Sequence, residues 1–240
     1  MKKNSILFIL FIIVPFLFYG QELLNTKGNE VDSEGRKQGF WKVYDVNGKL
    51  KFKGNFKDDI PFGEFIYYYP GEQIKAVSYI FNNGKESRTK IYHKNGILIA
   101  EGKYLNRKKD SIWHYYSDFD GVLLSEDVYK DNVKTGVWKT FFPDGSVMEE
   151  INYKDDQKNG KWIQYYSDGL VKLKATYIDG KLQGLMTVYH LNKGVNISGT
   201  YKENLKNGIW MYFNDHAETI KKEVFDHGTL ISTEEYETLY

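Results

Sequence analysis

Residues 171–177 read VKLKATY, with Val171, Leu173, Ala175 and Tyr177 on alternate positions against Lys172, Lys174 and Thr176. Residues 195–201 repeat the arrangement, with Val195, Ile197, Gly199 and Tyr201 alternating with Asn196, Ser198 and Thr200. Strict alternation is the period of a strand with one buried and one wet face. No window carries a 3.6-residue apolar stripe, and glycine interrupts the chain roughly every dozen residues, which excludes helix in practice. The pattern predicts short antiparallel strands.

The strands recur on a fixed period. With Trp162 as anchor, the register falls on Trp41, Phe65, Thr89, Trp113, Trp138, Trp162, Met186 and Trp210, every step being 24 residues except one of 25. Two residues earlier stand Gly39, Gly63, Ser87, Ser111, Gly136, Gly160, Gly184 and Gly208. Three residues later stand Tyr44, Tyr68, Tyr92, Tyr116, Phe141, Tyr165, Tyr189 and Phe213, aromatic in all eight units. The extra residue lies near Phe119 to Val122, where a bulge can absorb it.

Turn chemistry falls between the apolar runs. Asn47-Gly48, Asn95-Gly96, Asp120-Gly121, Asp144-Gly145 and Asp168-Gly169 fall between two strand-forming runs in five of the units, the strongest short-range hairpin signal. Asn83-Gly84, Asn159-Gly160, Asp179-Gly180 and Asn207-Gly208 are expected to turn one unit into the next. A two-residue turn inside a unit places Trp162 on the face of Leu173 and Ala175, and Tyr165 on the opposite face.

The phrase G-x-W-x-x-Y-Y-x-x-G, then an alternating strand ending in Tyr and N/D-G-K-x-x-G, resembles the bacterial variant of the MORN repeat. The resemblance covers residues 39–232 and implies an all-β, elongated, twisted antiparallel sheet of tandem hairpins. It also implies binding and organisation rather than catalysis, and relatives of this repeat are often labelled antitoxins. Thr89, Met186 and Ala217 depart from the pattern, so the third unit is expected to be loosened and the eighth to act as a cap. Sixteen strands would extend roughly 75 Å, a platform rather than a pocket. A single layer cannot hide both faces, so the tryptophan column must curl or be covered by flanking segments.

The N-terminus has a different character. Lys2 and Lys3 precede an apolar run from Ile6 to Tyr19, interrupted by Pro15 and ending at Gly20. This is the layout of a secretory signal peptide and is short for a membrane span of about 20 residues. Cleavage after Gly20 is expected, with a retained N-terminal membrane anchor as the alternative because Phe18 is bulky. The organisation is then a signal at 1–20, a linker at 21–38, eight repeats at 39–232 and a tail at 233–240.

Charge and composition exclude further classes. Loss of Lys2 and Lys3 leaves 31 basic against 32 acidic side chains, so the chain lacks the basic footprint of a nucleic-acid binder. With no cysteine there is no disulfide framework and no thiol nucleophile. The 20 tyrosines suit pleated, half-buried surfaces.

Catalytic and metal templates are missing. No G-x-S-x-G elbow, H-E-x-x-H helix, P-loop or G-x-G-x-x-G is present. Asp118 and Asp120 read as turn aspartates, since Tyr116 occupies the first position a calcium loop would need. His93 and His190 share a register four units apart, about 38 Å, and His216 and His227 lack metal-ligand spacing. Glu149-Glu150 and Glu234-Glu235 are neighbours on strands and face opposite sides. Asn196-Ile197-Ser198 matches a glycosylation acceptor but falls inside a predicted strand. No catalytic residue, cofactor or metal is expected, and the chain does not read as an enzyme.

The remaining candidate surface is the tyrosine column, Tyr44, Tyr68, Tyr92, Tyr116, Tyr165 and Tyr189, at about 10 Å intervals and edged by Lys51, Lys75 and Lys172. One reading has each ring packed over a cross-strand neighbour or a glycine. The other makes the column a recognition surface for a protein or a glycan, because tyrosine supplies contact area at low entropic cost. The expectation is an exported protein-binding scaffold, periplasmic, in the cell envelope or secreted. Glycan binding and an antitoxin-like inhibitor of a toxin are the alternatives, and no membrane span remains after signal cleavage.

Overall fold

The computed structural model describes residues 28–237, so the signal expected at 1–20 lies outside the described residues. The described chain is all strand, one open antiparallel sheet of 20 strands in which each strand pairs with its neighbours in sequence. Eight hairpins follow the 24-residue period, from Lys37–Tyr44 with Leu50–Lys57 to Leu205–Phe213 with Thr219–Asp226. The count exceeds sixteen for two reasons. Short strands Glu30–Val31 and Thr229–Glu235 extend the two edges, and a break splits the leading strand of the fifth and seventh units into Val133–Lys134 with Gly136–Phe141 and Lys181–Leu182 with Gly184–Tyr189.

The two kinds of turn differ from expectation. Inside a unit the connection is five residues, not two. Tyr166 N–H donates to Leu170 C=O (2.8 Å) and Gly169 N–H to Tyr166 C=O (2.9 Å), and Gly169 has φ 84°. This is a type I turn closed by a glycine bulge, in which only the glycine needs the left-handed region. The two-residue turns lie between units instead, with both residues left-handed, as at Asp155 (φ 50°) and Asp156 (φ 64°). That is the type I′ geometry, which asparagine and aspartate tolerate.

Asn159-Gly160 and Asn207-Gly208, expected as turns, therefore lie inside strands Gln157–Tyr165 and Leu205–Phe213. There the glycine forms a bulge, with register shifts between Ile151 and Tyr153 and between Ser198 and Thr200 on the partner strands. The extra residue of the 25-residue step is absorbed in the loop after Tyr116. Ser117 N–H reaches Val122 C=O at 2.8 Å, and Gly121 N–H reaches Ser117 C=O at 3.0 Å.

Burial is one-sided. The buried hydrophobic residues are Phe56, Phe65, Ala100, Trp113, Ile151, Leu173, Ala175 and Trp210. Trp162 pairs with Ala175, and Gln164 with Leu173, which sets the tryptophans on the buried face as the alternation requires. The outer sides of Lys172 and Lys174 are exposed. The tail does not cover the tryptophans, because Thr229–Glu235 continues the sheet as a fully exposed edge strand. Edge duty thus falls to this strand rather than to the eighth unit, whose hairpin closes normally with Ala217 (φ 64°) in the usual glycine position.

The third unit is not loosened. Glu86–Tyr92 and Leu98–Leu105 pair along their whole length, with the register shift before the turn, between Ile91 and Tyr92, that other units also have. Its departure is local: the turn before it has four residues, 82–85, and Ile74–Phe81 meets Glu86–Tyr92 with no register shift. The bulge is absent beside Thr89, whereas Phe65, also not a tryptophan, keeps it.

Candidate functional site

On the buried face, each tryptophan rests on a residue of the strand before it. A Cβ added to Gly102 would meet the Trp113 ring at 2.4 Å, one on Gly199 would meet Trp210 at 2.2 Å, and one on Gly54 would meet Phe65 at 2.5 Å. These three rings are the most deeply buried of the column, at 0%, 1% and 2% exposure. Where the floor residue is Asp127 or Ile151, the indoles of Trp138 and Trp162 are only half-buried. Aromatic shielding of glycine is therefore real, but the rings are the tryptophans, not the tyrosine column.

The bulge completes the seat. The indole N–H of Trp113 donates to Lys103 C=O (3.0 Å), that of Trp138 to Val128 C=O (3.0 Å) and that of Trp210 to Thr200 C=O (3.2 Å). Beside each ring stands the aromatic residue that ends the preceding second strand. Tyr104 lies 4.8 Å from Trp113, Tyr129 5.3 Å from Trp138 and Tyr201 5.1 Å from Trp210, in edge or tilted contacts worth about 0.5–1.5 kcal/mol each beyond area.

A lysine four residues before the ring closes it from above. Lys109, Lys134 and Lys206 sit 4.7, 4.4 and 4.4 Å from the centroids of Trp113, Trp138 and Trp210. Lys37 lies over Trp41 and Lys158 over Tyr177. Burial among rings pushes the Lys109 ammonium below its ordinary range. This lysine column went unread in the sequence, although its signal is there: lysine recurs at Lys37, Lys85, Lys109, Lys134, Lys158 and Lys206.

The third unit leaves a gap in this ladder. Thr89 stands in the ring position, its hydroxyl 2.8 Å from that of Ser78, both buried. The missing ring opens a cleft of about 600 Å³ whose lining includes Phe65, Ser78, Ile80, Thr89 and Tyr104. Lys75, Lys85 and Arg107 are its basic lining residues. Its one acid, Glu86, is taken up by Lys103 (2.9 Å) and Asn82 (2.7 Å), and the Lys103 bond holds its carboxyl below the ordinary range.

The predicted tyrosine column lies on the other face. Tyr116 donates to Glu101 (2.7 Å) and Tyr165 to Glu150 (3.3 Å), carboxylates that alternate with the floor residues Gly102 and Ile151. Burial, with the Glu101 bond, pushes the Tyr116 phenol up to about 12. Tyr44 is 52% exposed, and Tyr68, Tyr92, Tyr116, Tyr165 and Tyr189 are half-buried. Two of the six are tied to the preceding unit through their carbonyls, the Tyr69 hydroxyl donating to Tyr92 C=O (2.9 Å) and the Tyr166 hydroxyl to Tyr189 C=O (2.7 Å). Lys75 and Lys172 lie over Tyr69 and Tyr166 rather than edging the predicted column.

The same face carries a row that the sequence reading missed. The residue just before the ring position is exposed and apolar in four units: Ile112 (48%), Val137 (39%), Leu185 (60%) and Ile209 (55%). No group of three or more His, Asp or Glu side chains gathers among the described residues. Asp120 accepts from Val122 N–H at 3.2 Å, as a turn aspartate does.

Comparison with known proteins fits this architecture. Residues 37–58, 134–155 and 158–179 match the family model described as MORN repeat variant, so the chain carries MORN-type repeats at those three positions. Each match opens on or next to the lysine of the ladder. No curated protein matches. Among solved structures, a Photorhabdus luminescens Tc holotoxin pore aligns over 81% of this chain and 14% of its own, at 10% identity and TM-score 0.19. A TcdB2-TccC3-TEV structure aligns over 80% and 11%, at 12% identity and TM-score 0.20. The chain thus spans only a small part of these proteins, and at such TM-scores the likeness carries no argument. Among the described residues no helix is long and apolar enough to cross a membrane.

Proposed function

We propose that this protein is an exported, non-enzymatic repeat scaffold that binds a protein partner in the cell envelope or outside the cell. The observation that supports this most is the exposed row Ile112, Val137, Leu185 and Ile209 on the tyrosine-bearing face. An isolated exposed apolar side chain is ordinary, but a row fixed at one register position of a repeat is the footprint of an interaction surface. Tyr116 and Tyr165, orientated by Glu101 and Glu150, lie on the same face and add rigid contact area. MORN-type repeats are consistent with a protein-binding module, and the N-terminal segment motivates export.

The test joins location to binding. Intact mass of the protein from separated cell fractions is expected to show a chain shortened by its first twenty residues outside the cytoplasm. Crosslinking in those fractions is expected to capture a protein partner with the unmodified chain and to lose it in a double variant, Ile112→Glu with Leu185→Glu. A full-length chain in the cytoplasm would refute export, and retention of the partner by the double variant would refute the surface.

A further inference from the structure

The cleft at the third unit lies on the opposite face from that row, and the protein's own repeats state what fits it. In the neighbouring units the corresponding space holds an aromatic ring, Phe65 or Trp113, resting on the preceding strand and flanked by an aromatic or apolar side chain. At the third unit the walls remain. Tyr104, which packs edge-on against Trp113 at 4.8 Å, also borders the cleft, and Phe65 and Ile80 border it from the preceding unit. Lys85 occupies the sequence position of the lysines that cover the other rings, and it lines the opening. The ring is replaced by Thr89, and the floor glycine of the neighbouring units by Ser78.

Arg107 supplies a second, independent observation. It is the second residue of a two-residue turn and has φ 64°. The equivalent residues of the other units are Gly35, Asp59, Asn83, Asn132, Asp156, Gly180 and Asn204, all with positive φ and all of types that tolerate it. In several units this side chain also holds the neighbouring unit: Asp59 accepts from Lys37 N–H (2.9 Å), Asn132 from Lys109 N–H (2.7 Å) and Asp156 from Lys134 N–H (2.8 Å). An arginine can accept no such bond. It therefore gives up both backbone ease and a staple, and it is one of the residues that line the cleft. Glu72, Ser111, Lys193, Glu203 and Ala217 are left-handed too, so strain alone does not single this turn out; a basic side chain at this turn position, beside the cleft, points to a use for the charge.

We infer that this cleft receives an aromatic side chain, of phenylalanine type, from a partner polypeptide that carries an acidic residue next to it. The ring replaces the missing one between Phe65 and Tyr104, and the neighbouring carboxylate meets Lys85 and Arg107. Glu86 offers little opposition because Lys103 and Asn82 already engage it. Phenylalanine fits better than tryptophan, because this unit has no bulge and so no carbonyl freed for an indole N–H.

The inference does not depend on the exposed row or on export, and its test uses defined probes. A fluorophore-labelled, acetylated Asp-Phe-Asp peptide is titrated with the full-length protein by anisotropy, against the same peptide with alanine for phenylalanine. Binding is expected for the first and a loss of at least about tenfold for the second. Thr89→Phe, which fills the slot from within, is expected to abolish binding. Arg107→Asn, which restores the residue type of the other units and so keeps the fold, is expected to weaken it about tenfold and to flatten its salt dependence. Equal binding of the alanine peptide, or unchanged binding by Arg107→Asn, would overturn the assignment. Tighter binding of free phenylacetate than of the peptide would also overturn it, by making the ligand a small aromatic acid rather than a polypeptide.

Discussion

Replacing Gly102 with alanine tests the central packing claim, that a ring lies directly on a bare backbone. The added methyl would sit 2.4, 2.5 and 2.6 Å from Cδ2, Cε2 and Cγ of Trp113. Carbon contacts are favourable at about 3.5–4.0 Å, so the ring must move by roughly 1 Å. It has little room, being wholly buried against Tyr104, with Tyr115 beside it and Lys109 4.7 Å above. Overpacking of this kind costs about 1–3 kcal/mol. Removing a glycine from a strand returns about 0.5–1 kcal/mol, since alanine loses less backbone entropy. The net expectation is a loss of about 1–2 kcal/mol, centred on Leu98–Leu105 and Lys108–Tyr116.

The seventh unit supplies the control, since the register that sets Val188 and Thr187 against Leu173 and Lys174 brings Met186 toward Ala175, an alanine floor under a methionine. Gly102→Ala should therefore be nearly neutral in a Trp113→Met background, giving a coupling of about 1–2 kcal/mol in a double-mutant cycle. Urea unfolding followed by circular dichroism measures the total, with a midpoint shift of roughly 0.5–1 M for a slope of about 2 kcal/mol/M. Hydrogen exchange of residues 98–116 reports whether the loss is local, as a chain of nearest-neighbour units requires. A neutral or stabilising Gly102→Ala in the unmodified background would refute the glycine-seat account.

Other outcomes follow from the same ladder. Burial holds the Asp127 carboxyl above its ordinary 3.8 despite Lys134 and Lys109 nearby. A raised carboxyl is a cost that is full above its folded-state value and absent below its unfolded one, so Asp127→Asn should stabilise at neutral pH, with the gain shrinking as pH falls toward 4 in urea titrations. Lys206→Met should cost about 0.5–2 kcal/mol, because its ammonium lies over both Trp210 and Phe225; a thermal melt showing no change would discount the cation–π column. Arg107→Asn should stabilise by about 1 kcal/mol by relieving the left-handed arginine, read from the urea midpoint. Ile112→Glu with Leu185→Glu should leave stability within about 0.5 kcal/mol, since both side chains are exposed, while removing partner binding.

The periodicity was fully legible from the chain. Alternation in Val171–Ile178 gives a half-buried strand, the eight-fold register gives hairpins in series, and the pairing of Trp162 with Ala175 follows from the two. These are short-range consequences of side-chain period, which sequence spacing carries without loss. Tyr116 and Tyr165 fall on the expected face for the same reason.

Three features needed the folded chain. Asn-Gly at 159–160 reads as a turn, yet the pairing register makes it a bulge and gives the turn to Asp155-Asp156, because backbone hydrogen bonds across strands, not the dipeptide, decide where the chain reverses. The lysine column is visible as a repeat, but only the sheet brings Lys109 over Trp113, Tyr115 and Tyr129, residues of three different strand positions. Thr89 reads as a weak point in the sequence, whereas in the sheet its flanking strands are held by their own ladders and the lost ring becomes an open slot. Sequence thus determines the repeat and its faces, which are local. Tertiary structure decides where the repeat is broken into a site, because a cavity is defined by what the neighbouring strands do around a missing side chain.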